Sequence, residues 1–139
     1  MSIRIFYDNT KYRFQGWRKT RKLLERVIRS SNMNSGDLSF IITTDEILRN
    51  INIEFLNHHY NTDVITFGYN KEQELNGEIY ISRDRVKENA RNYSVSLDEE
   101  MLRVMIHGVL HLTGYDDKTR HQKRIMRAME EKWLTEREG

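Results

Sequence analysis

The sequence predicts one α+β domain in which a four-stranded mixed sheet packs against about five helices. Three observations support this fold class. The length of 139 residues suits a single domain. Strand-like segments lie mostly before residue 83, and helix-like segments dominate after it. No repeat, linker or low-complexity segment divides the chain, so we expect residues 1–139 to form one unit.

The first part of the chain alternates strand and helix signals. Apolar side chains alternate over residues 3–7, which predicts a strand. A helix is expected from 16 to about 30, because one face is apolar and the other is basic. Residues 32–36 are typical of a turn, and a β-branched strand follows at 38–43. Thr44 is a suitable N-cap for the next helix.

Two further strands are expected at 64–69 and 78–82, joined by a polar stretch that suits a hairpin or a longer turn. Ser82 can cap a following helix. The sequence Ser96-Leu97-Asp98-Glu99 is a capping box for a longer helix that ends near Gly114. A last helix starts at Thr119, and its apolar residues are Ile125, Met126, Met129 and Trp133.

The composition excludes several classes of protein. The chain has no cysteine, so disulfides, thiolate nucleophiles and cysteine-based metal sites are ruled out. No apolar run approaches the ~20 residues of a transmembrane helix. The first residues lack the basic-then-apolar layout of a signal peptide. We therefore expect a cytoplasmic protein with no membrane partner.

The net charge of +2 conceals a strong asymmetry. Residues 1–36 carry nine basic and two acidic side chains, whereas residues 37–100 carry six basic and thirteen acidic ones. A basic cluster of this kind can follow a nucleic-acid backbone. It can also be a solvated helix face, and the sequence leaves both interpretations open. The cluster centres on Arg18, Lys19, Arg21 and Lys22.

A candidate metal site lies on the helix before Gly114. His107 and His111 are four residues apart, so their side chains project from one helical face and can bind one ion. Each histidine taken alone can equally be a hydrogen-bonded structural residue. The spacing to Gly114 and Asp117 matches the metzincin zinc pattern, with Asp in the place of the third His. Asp117 is the favoured third ligand, and His121 is the alternative.

The string HGVLHLTGYDD at residues 107–117 closely resembles the signature H-G-x-L-H-L-x-G-Y-D-H of the YbeY family of rRNA-maturation endoribonucleases. Residues 62–67 (TDVITF) are similar to the family's T-D-V-L-S-F strand, and residues 77–82 (GEIYIS) to its G-D-I-x-I-S strand. Glu100 stands where the family also tends to carry Glu. These blocks span about residues 54–118 in matching order.

The resemblance implies a zincin-like fold that binds one zinc ion through His107, His111 and Asp117. It further implies a cytoplasmic hydrolase that cleaves single-stranded RNA in 16S rRNA 3′-end maturation and ribosome quality control. RNA is then the partner, and the ribosome or small-subunit proteins are possible additional partners. Zinc would acidify water and polarise the phosphodiester, with His107 and Asp116 as the catalytic set. Asp116 is favoured as a hydrogen-bonding residue beside the ligands over a base.

Two departures from the family pattern bear on this interpretation. Asp117 replaces the third His, and an anionic ligand favours harder ions such as Mn²⁺. The loop before Thr62 is shorter than in the family and lacks the family's functional Arg. Either an Arg from elsewhere or His59 faces the phosphate, or the nuclease activity is weak.

Two other functions remain as alternatives. One is a ribosome-associated RNA-binding factor with a structural metal, which the missing Arg supports. The other is a small metallopeptidase. It is disfavoured because Gly108 stands where HExxH peptidases carry the Glu that acts as general base.

Overall fold

The computed structural model describes residues 2–57 and 62–137. It confirms an α+β fold with a four-stranded mixed sheet and five helices. The elements, in chain order, are β1 (Ile3–Tyr7), α1 (Trp17–Ser30), β2 (Asn34–Thr43), α2 (Asp45–Leu56), β3 (Val64–Gly68), β4 (Glu74–Ser82), α3 (Arg83–Tyr93), α4 (Leu97–Leu112) and α5 (Arg120–Glu136).

The strand order of the sheet is β1-β2-β4-β3, which places β3 at one edge. β1 and β4 both run parallel to β2, whereas β3 is antiparallel to β4. Main-chain bonds join β3 to β4 through Asp63 O and Tyr69 N. Because such bonds alternate along an antiparallel pair, the main-chain groups of Val64 and Thr66 point toward the free edge.

Helix α4 packs most deeply against the sheet, and nine of its residues are buried. Gly108 permits this close approach. A Cβ atom at this position would lie 2.9 Å from Cγ2 of Ile79, a β4 residue that is fully buried. Close packing at Gly108 therefore holds the two histidines of α4 at a fixed depth beside the sheet.

The predicted helix starts are confirmed, and four of them, those of α2 to α5, are encoded by a local side-chain cap, whereas α1 begins after Gly16 without one. The side chains of Thr44, Ser82, Ser96 and Thr119 each accept a hydrogen bond from the backbone N–H three residues later. At Thr119 the reciprocal capping-box bond from Gln122 is also present. Gly114 has a φ of 117° and follows the end of α4, as predicted.

The predicted starts of two strands are wrong. β2 begins at Asn34 and β4 at Glu74, each four residues earlier than expected. The additional residues pair with one another, Asn34 with Glu74 and Ser35 with Leu75, and an irregularity precedes Leu38. Turn-like residues thus become strand because each segment has the other as its partner.

Of the apolar residues expected on α5, Met126 and Trp133 are buried, whereas Ile125 is 40% exposed. Within residues 2–57 and 62–137, no helix combines the length and apolar character that a bilayer span requires.

Candidate functional site

A cleft of about 440 Å³ opens beside the edge strand β3. Its walls come from α2, from residues 62–66, from the C-terminal half of α4 and from the turn that follows α4. His107, His111, Asp116 and Asp117 all line this one cleft. The structure therefore brings the predicted metal-site residues together.

The two histidines stack on one face of α4, with ring centroids 6.3 Å apart. Nδ1 of His107 lies 2.6 Å from a carboxylate oxygen of Glu130, and Nδ1 of His111 lies 2.9 Å from the carbonyl oxygen of Tyr115. Both neighbours are acceptors, so each Nδ1 serves as the donor, and in the neutral ring each Nε2 keeps its lone pair. Nε2 of His107 lies 3.4 Å from Oδ2 of Asp117.

The turn after α4 carries the two aspartates back to the histidines. Gly114 allows the reversal through its positive φ, and the Tyr115 N–H bonds to the carbonyl of Leu110 at 3.0 Å. Ligand atoms of His111, Asp116 and Asp117 lie within 4.8 Å of one another. Imidazole nitrogens and carboxylate oxygens are ordinary donors for a divalent ion, so this set fits a metal.

Asp116 also has a role in the turn itself. Its Oδ1 accepts a hydrogen bond from the backbone N–H of Asp117 at 3.0 Å. This bond fixes the orientation of the peptide that carries the Asp117 side chain. The geometry suits a positioning residue, and it also leaves Asp116 within reach of a bound ion.

A buried ionic chain stands behind His107. Glu130, which is 2% exposed, bonds through its second oxygen to Nη1 of Arg103 at 2.7 Å. Arg103 in turn bonds to Glu100, which is also 2% exposed. This ionic chain links α4 to α5 and fixes the His107 ring through its Nδ1 atom.

The buried ionic chain behind His107 sets the charge state of the side chains that take part in it in the metal-free protein. Burial acts to lower the pKa of His107, but the bond to Glu130 and the negative charges of Glu130, Asp117 and Asp63 together outweigh it and raise that pKa above its usual value. Burial acts to raise the pKa of Glu130, yet His107 and Arg103 hold it below the usual range. The carboxylate of Glu130 is therefore ionised at neutral pH.

Asp63 is a further carboxyl group in the cleft. Burial raises its pKa above the usual value, and His107 and Arg103 act in the opposite direction. Asn89 donates a hydrogen bond to Oδ2 of Asp63 at 3.2 Å. A partly desolvated carboxyl in a cleft is a feature typical of functional sites.

Other residues proposed from the sequence lie apart from the cleft. Among the described residues that line it, neither His121 nor any of the four α1 bases occurs. His121 is exposed near the start of α5. His59 lies outside the described residues. The four bases, all exposed on α1, are Arg18, Lys19, Arg21 and Lys22.

Sequence reasoning missed Glu130, Arg103 and Lys118. Glu130 follows Met126 by four residues and precedes Trp133 by three, so a carboxylate on the apolar face of α5 was the available signal. Lys118 lines the cleft directly after the two aspartates. No Arg lines the described part of the cleft, so of the three alternatives that the sequence left open, an Arg from elsewhere is not found among these residues.

Comparison with known proteins identifies the family of this chain. The family model described as Endoribonuclease YbeY matches residues 6–138. A protein named Endoribonuclease YbeY from Christiangramia forsetii is 42% identical over 126 residues, covering 91% of this chain and 84% of its own length. Its namesake from Chlorobaculum tepidum is 40% identical over 134 residues and 96% of both chains.

A solved structure also matches the fold. The solution structure of TM1509 from Thermotoga maritima superimposes with a TM-score of 0.67 at 28% sequence identity, and the match covers 98% of this chain and 89% of TM1509. The fold, the HGxLHLxGYD string at residues 107–116 and the extent of the matches lead to one conclusion: this chain belongs to the Endoribonuclease YbeY family.

Proposed function

We propose that this chain is a zinc-dependent endoribonuclease that cleaves single-stranded RNA. Its place would be in 16S rRNA 3′-end maturation and ribosome quality control, in the cytoplasm and in contact with the ribosome. One observation carries the proposal: two histidines and two aspartates line one cleft beside an edge strand, and ligand atoms of His111, Asp116 and Asp117 lie within 4.8 Å of one another. Family membership supports RNA as the substrate.

His107, His111 and Asp117 are the proposed ligands. Three protein ligands leave a coordination position open, which is typical of a catalytic site, whereas structural zinc is normally four-coordinate. Bound there, zinc supplies a Lewis acid for water and for a phosphodiester oxygen. The anionic Asp117 also suits Mn²⁺, and metal analysis decides between the two ions.

The remaining side chains of the cleft position the ligands and the substrate. Glu130 keeps a proton on Nδ1 of His107 and so presents Nε2 to the cleft. Asp116 orients Asp117 by accepting a hydrogen bond from the backbone N–H of Asp117. Lys118 is the proposed contact for a substrate phosphate, a position for which His59 stays a candidate.

The α1 cluster is proposed to hold RNA away from the reacting bond. Helix α1 contacts β2, α4 and α5 and contributes no residue to the described part of the cleft. An RNA strand bound on α1 would therefore be held by its phosphate groups, and its bases would not be recognised there. The proposed contacts are Arg18, Lys19, Arg21 and Lys22.

The test combines metal content with cleavage of a labelled single-stranded RNA, with and without a chelator. We expect about one equivalent of zinc per chain and chelator-sensitive cleavage. The Asp117→Ala variant should lose both, whereas His121→Ala, which changes an exposed residue outside the cleft lining, should keep both. Metal loss in His121→Ala with retention in Asp117→Ala would contradict the ligand assignment.

A second candidate function is an RNA-binding factor whose metal is structural. It is favoured by one observation, that no Arg lines the described part of the cleft. A folded His107→Ala variant that still cleaves RNA would favour this candidate. A metallopeptidase stays disfavoured, because a Glu at position 108 would overlap the buried side chain of Ile79.

A further inference from the structure

A second groove lies on the other face of the hairpin formed by β3 and β4. Its volume is about 270 Å³. Ile79 faces α4 through its contact with Gly108, so the neighbouring strand residues Glu78 and Tyr80 face the opposite way. This aromatic groove, as we call it, is lined by Ile51, Phe55, Phe67, Tyr69, Glu78 and Tyr80.

Two of the four aromatic rings of this groove are open to solvent, whereas Phe67 and Tyr80 are half-buried. Phe55 is 65% exposed and Tyr69 is 59% exposed. Phe67 makes edge-to-face contacts with Phe55 at 6.4 Å and with Tyr80 at 5.9 Å between ring centroids. A contiguous exposed cluster of this kind is typical of a binding surface, because single exposed apolar residues are ordinary but clusters are not.

One carboxylate lies in the groove. Oε1 of Glu78 accepts long hydrogen bonds from the hydroxyls of Tyr69 at 3.4 Å and Tyr80 at 3.5 Å. Within the described part of the chain, Glu78 has no ion-pair partner among Lys, Arg or His. The groove thus combines ring faces, which carry negative π-potential, with an unneutralised negative charge.

The segment of sequence that contains the groove also carries a net negative charge. Every residue that lines the groove belongs to residues 37–100, where thirteen acidic side chains outnumber six basic ones. A phosphodiester backbone would be repelled there, whereas a cation would be attracted by both the rings and the carboxylate. The charge therefore favours a basic protein segment over RNA as the occupant.

We propose that the aromatic groove binds an arginine or lysine side chain of a basic polypeptide partner. The aliphatic stem of that side chain packs against Phe55 and Tyr69, and its charged end reaches Glu78. This interaction lies outside the metal cleft, since none of the groove residues lines that cleft. It goes beyond the proposed nuclease function and does not depend on it.

The test measures fluorescence anisotropy of a short labelled peptide rich in Arg and Lys, with a matched peptide in which citrulline and Gln replace them. We expect the full-length protein to bind the basic peptide and to ignore its neutral counterpart. Glu78→Gln and Tyr69→Ala should each weaken binding by roughly tenfold. Tyr69→Phe, which keeps the ring, should retain most of it.

Matched controls change the same residue types elsewhere. Phe6→Ala removes an aromatic ring that is 46% exposed on β1, and Glu88→Gln neutralises an exposed carboxylate on α3. Both should bind the peptide like the unmodified protein. Equal affinity of all variants, or failure of the unmodified protein to bind the basic peptide, would overturn the proposal.

A nucleobase is the competing occupant, since bases also stack on exposed rings. If Tyr69→Ala weakens binding of a single-stranded oligonucleotide and Glu78→Gln strengthens it, the groove takes a base and the proposal is wrong. RNA cleavage is measured separately and should be unchanged in Glu78→Gln. A protein that binds the peptide but cleaves no RNA would contradict the proposed function alone.

Discussion

Replacing Glu130 by Gln tests whether the buried chain behind His107 controls metal binding. The carboxylate accepts one bond from Arg103 at 2.7 Å and one from Nδ1 of His107 at 2.6 Å. Gln has nearly the same shape but has one acceptor oxygen and one amino group. Because both neighbours are donors, the amino group must face one of them, and one of the two bonds is lost.

The expected loss of stability in Glu130→Gln follows from the burial of Glu130. Glu130 is 2% exposed, so water does not replace the lost bond. A charged hydrogen bond broken in a buried site costs about 2–3 kcal/mol, and Glu100 still pairs with Arg103 and limits the loss. For a chain of this size, that lowers the melting temperature by about 10 °C. Loss of the acceptor for a ligating histidine weakens metal binding by about 10–100-fold.

The assay measures zinc affinity by competition with a chromophoric chelator, and unfolding of the metal-free protein by calorimetry. Glu131→Gln is the matched control, since it removes the same charge from the next residue, which is exposed. We expect the control to match the unmodified protein in both measurements. If Glu130→Gln binds zinc as tightly as Glu131→Gln does, the reasoning about His107 is refuted.

Two further predictions concern packing and the substrate. Gly108→Ala should lower stability by about 1 kcal/mol, because the clash with Ile79 outweighs the gain in helix propensity. Calorimetry should show a smaller loss when the same change is made in an Ile79→Ala background, which removes the clashing Cγ2 and Cδ1 atoms, and equal losses would contradict the packing argument. Lys118→Ala should raise KM for RNA roughly fivefold and leave the metal content unchanged. Lys87→Ala, an exposed change on α3, is the control, and an equal rise in KM there would show a general charge effect.

The sequence predicted the parts of the fold that local chemistry encodes. The helix starts at Thr44, Ser82 and Thr119 follow from side chains that cap their own backbone. The predicted starts of β2 and β4 were wrong, because residues 34–35 and 74–75 extend the two strands by pairing with each other. Strand formation there depends on a partner about 40 residues away, which a local pattern does not contain.

The candidate site likewise has one part that a local sequence pattern predicts and one part that depends on a long-range contact. The spacing of His107, His111 and Asp117 is local, and the structure gathers all three in one cleft. The contact between His107 and Glu130 spans 23 residues and requires α5 to pack against α4. No short motif includes that contact, so Glu130 was visible only as an acidic residue on an apolar helix face.

Gly108 connects the packing of the fold to the chemistry of the cleft. In HExxH peptidases the corresponding residue is the catalytic Glu, and a side chain of that size would displace Ile79 from the centre of the core. The depth of α4 against β4 therefore excludes the peptidase base on steric grounds. His107 and His111 line the same cleft as residues 62–66 of the edge-strand region. The described carboxyl groups that line this cleft besides the proposed ligand Asp117 are Asp63 and Asp116, and these two are the proposed candidates for a proton acceptor.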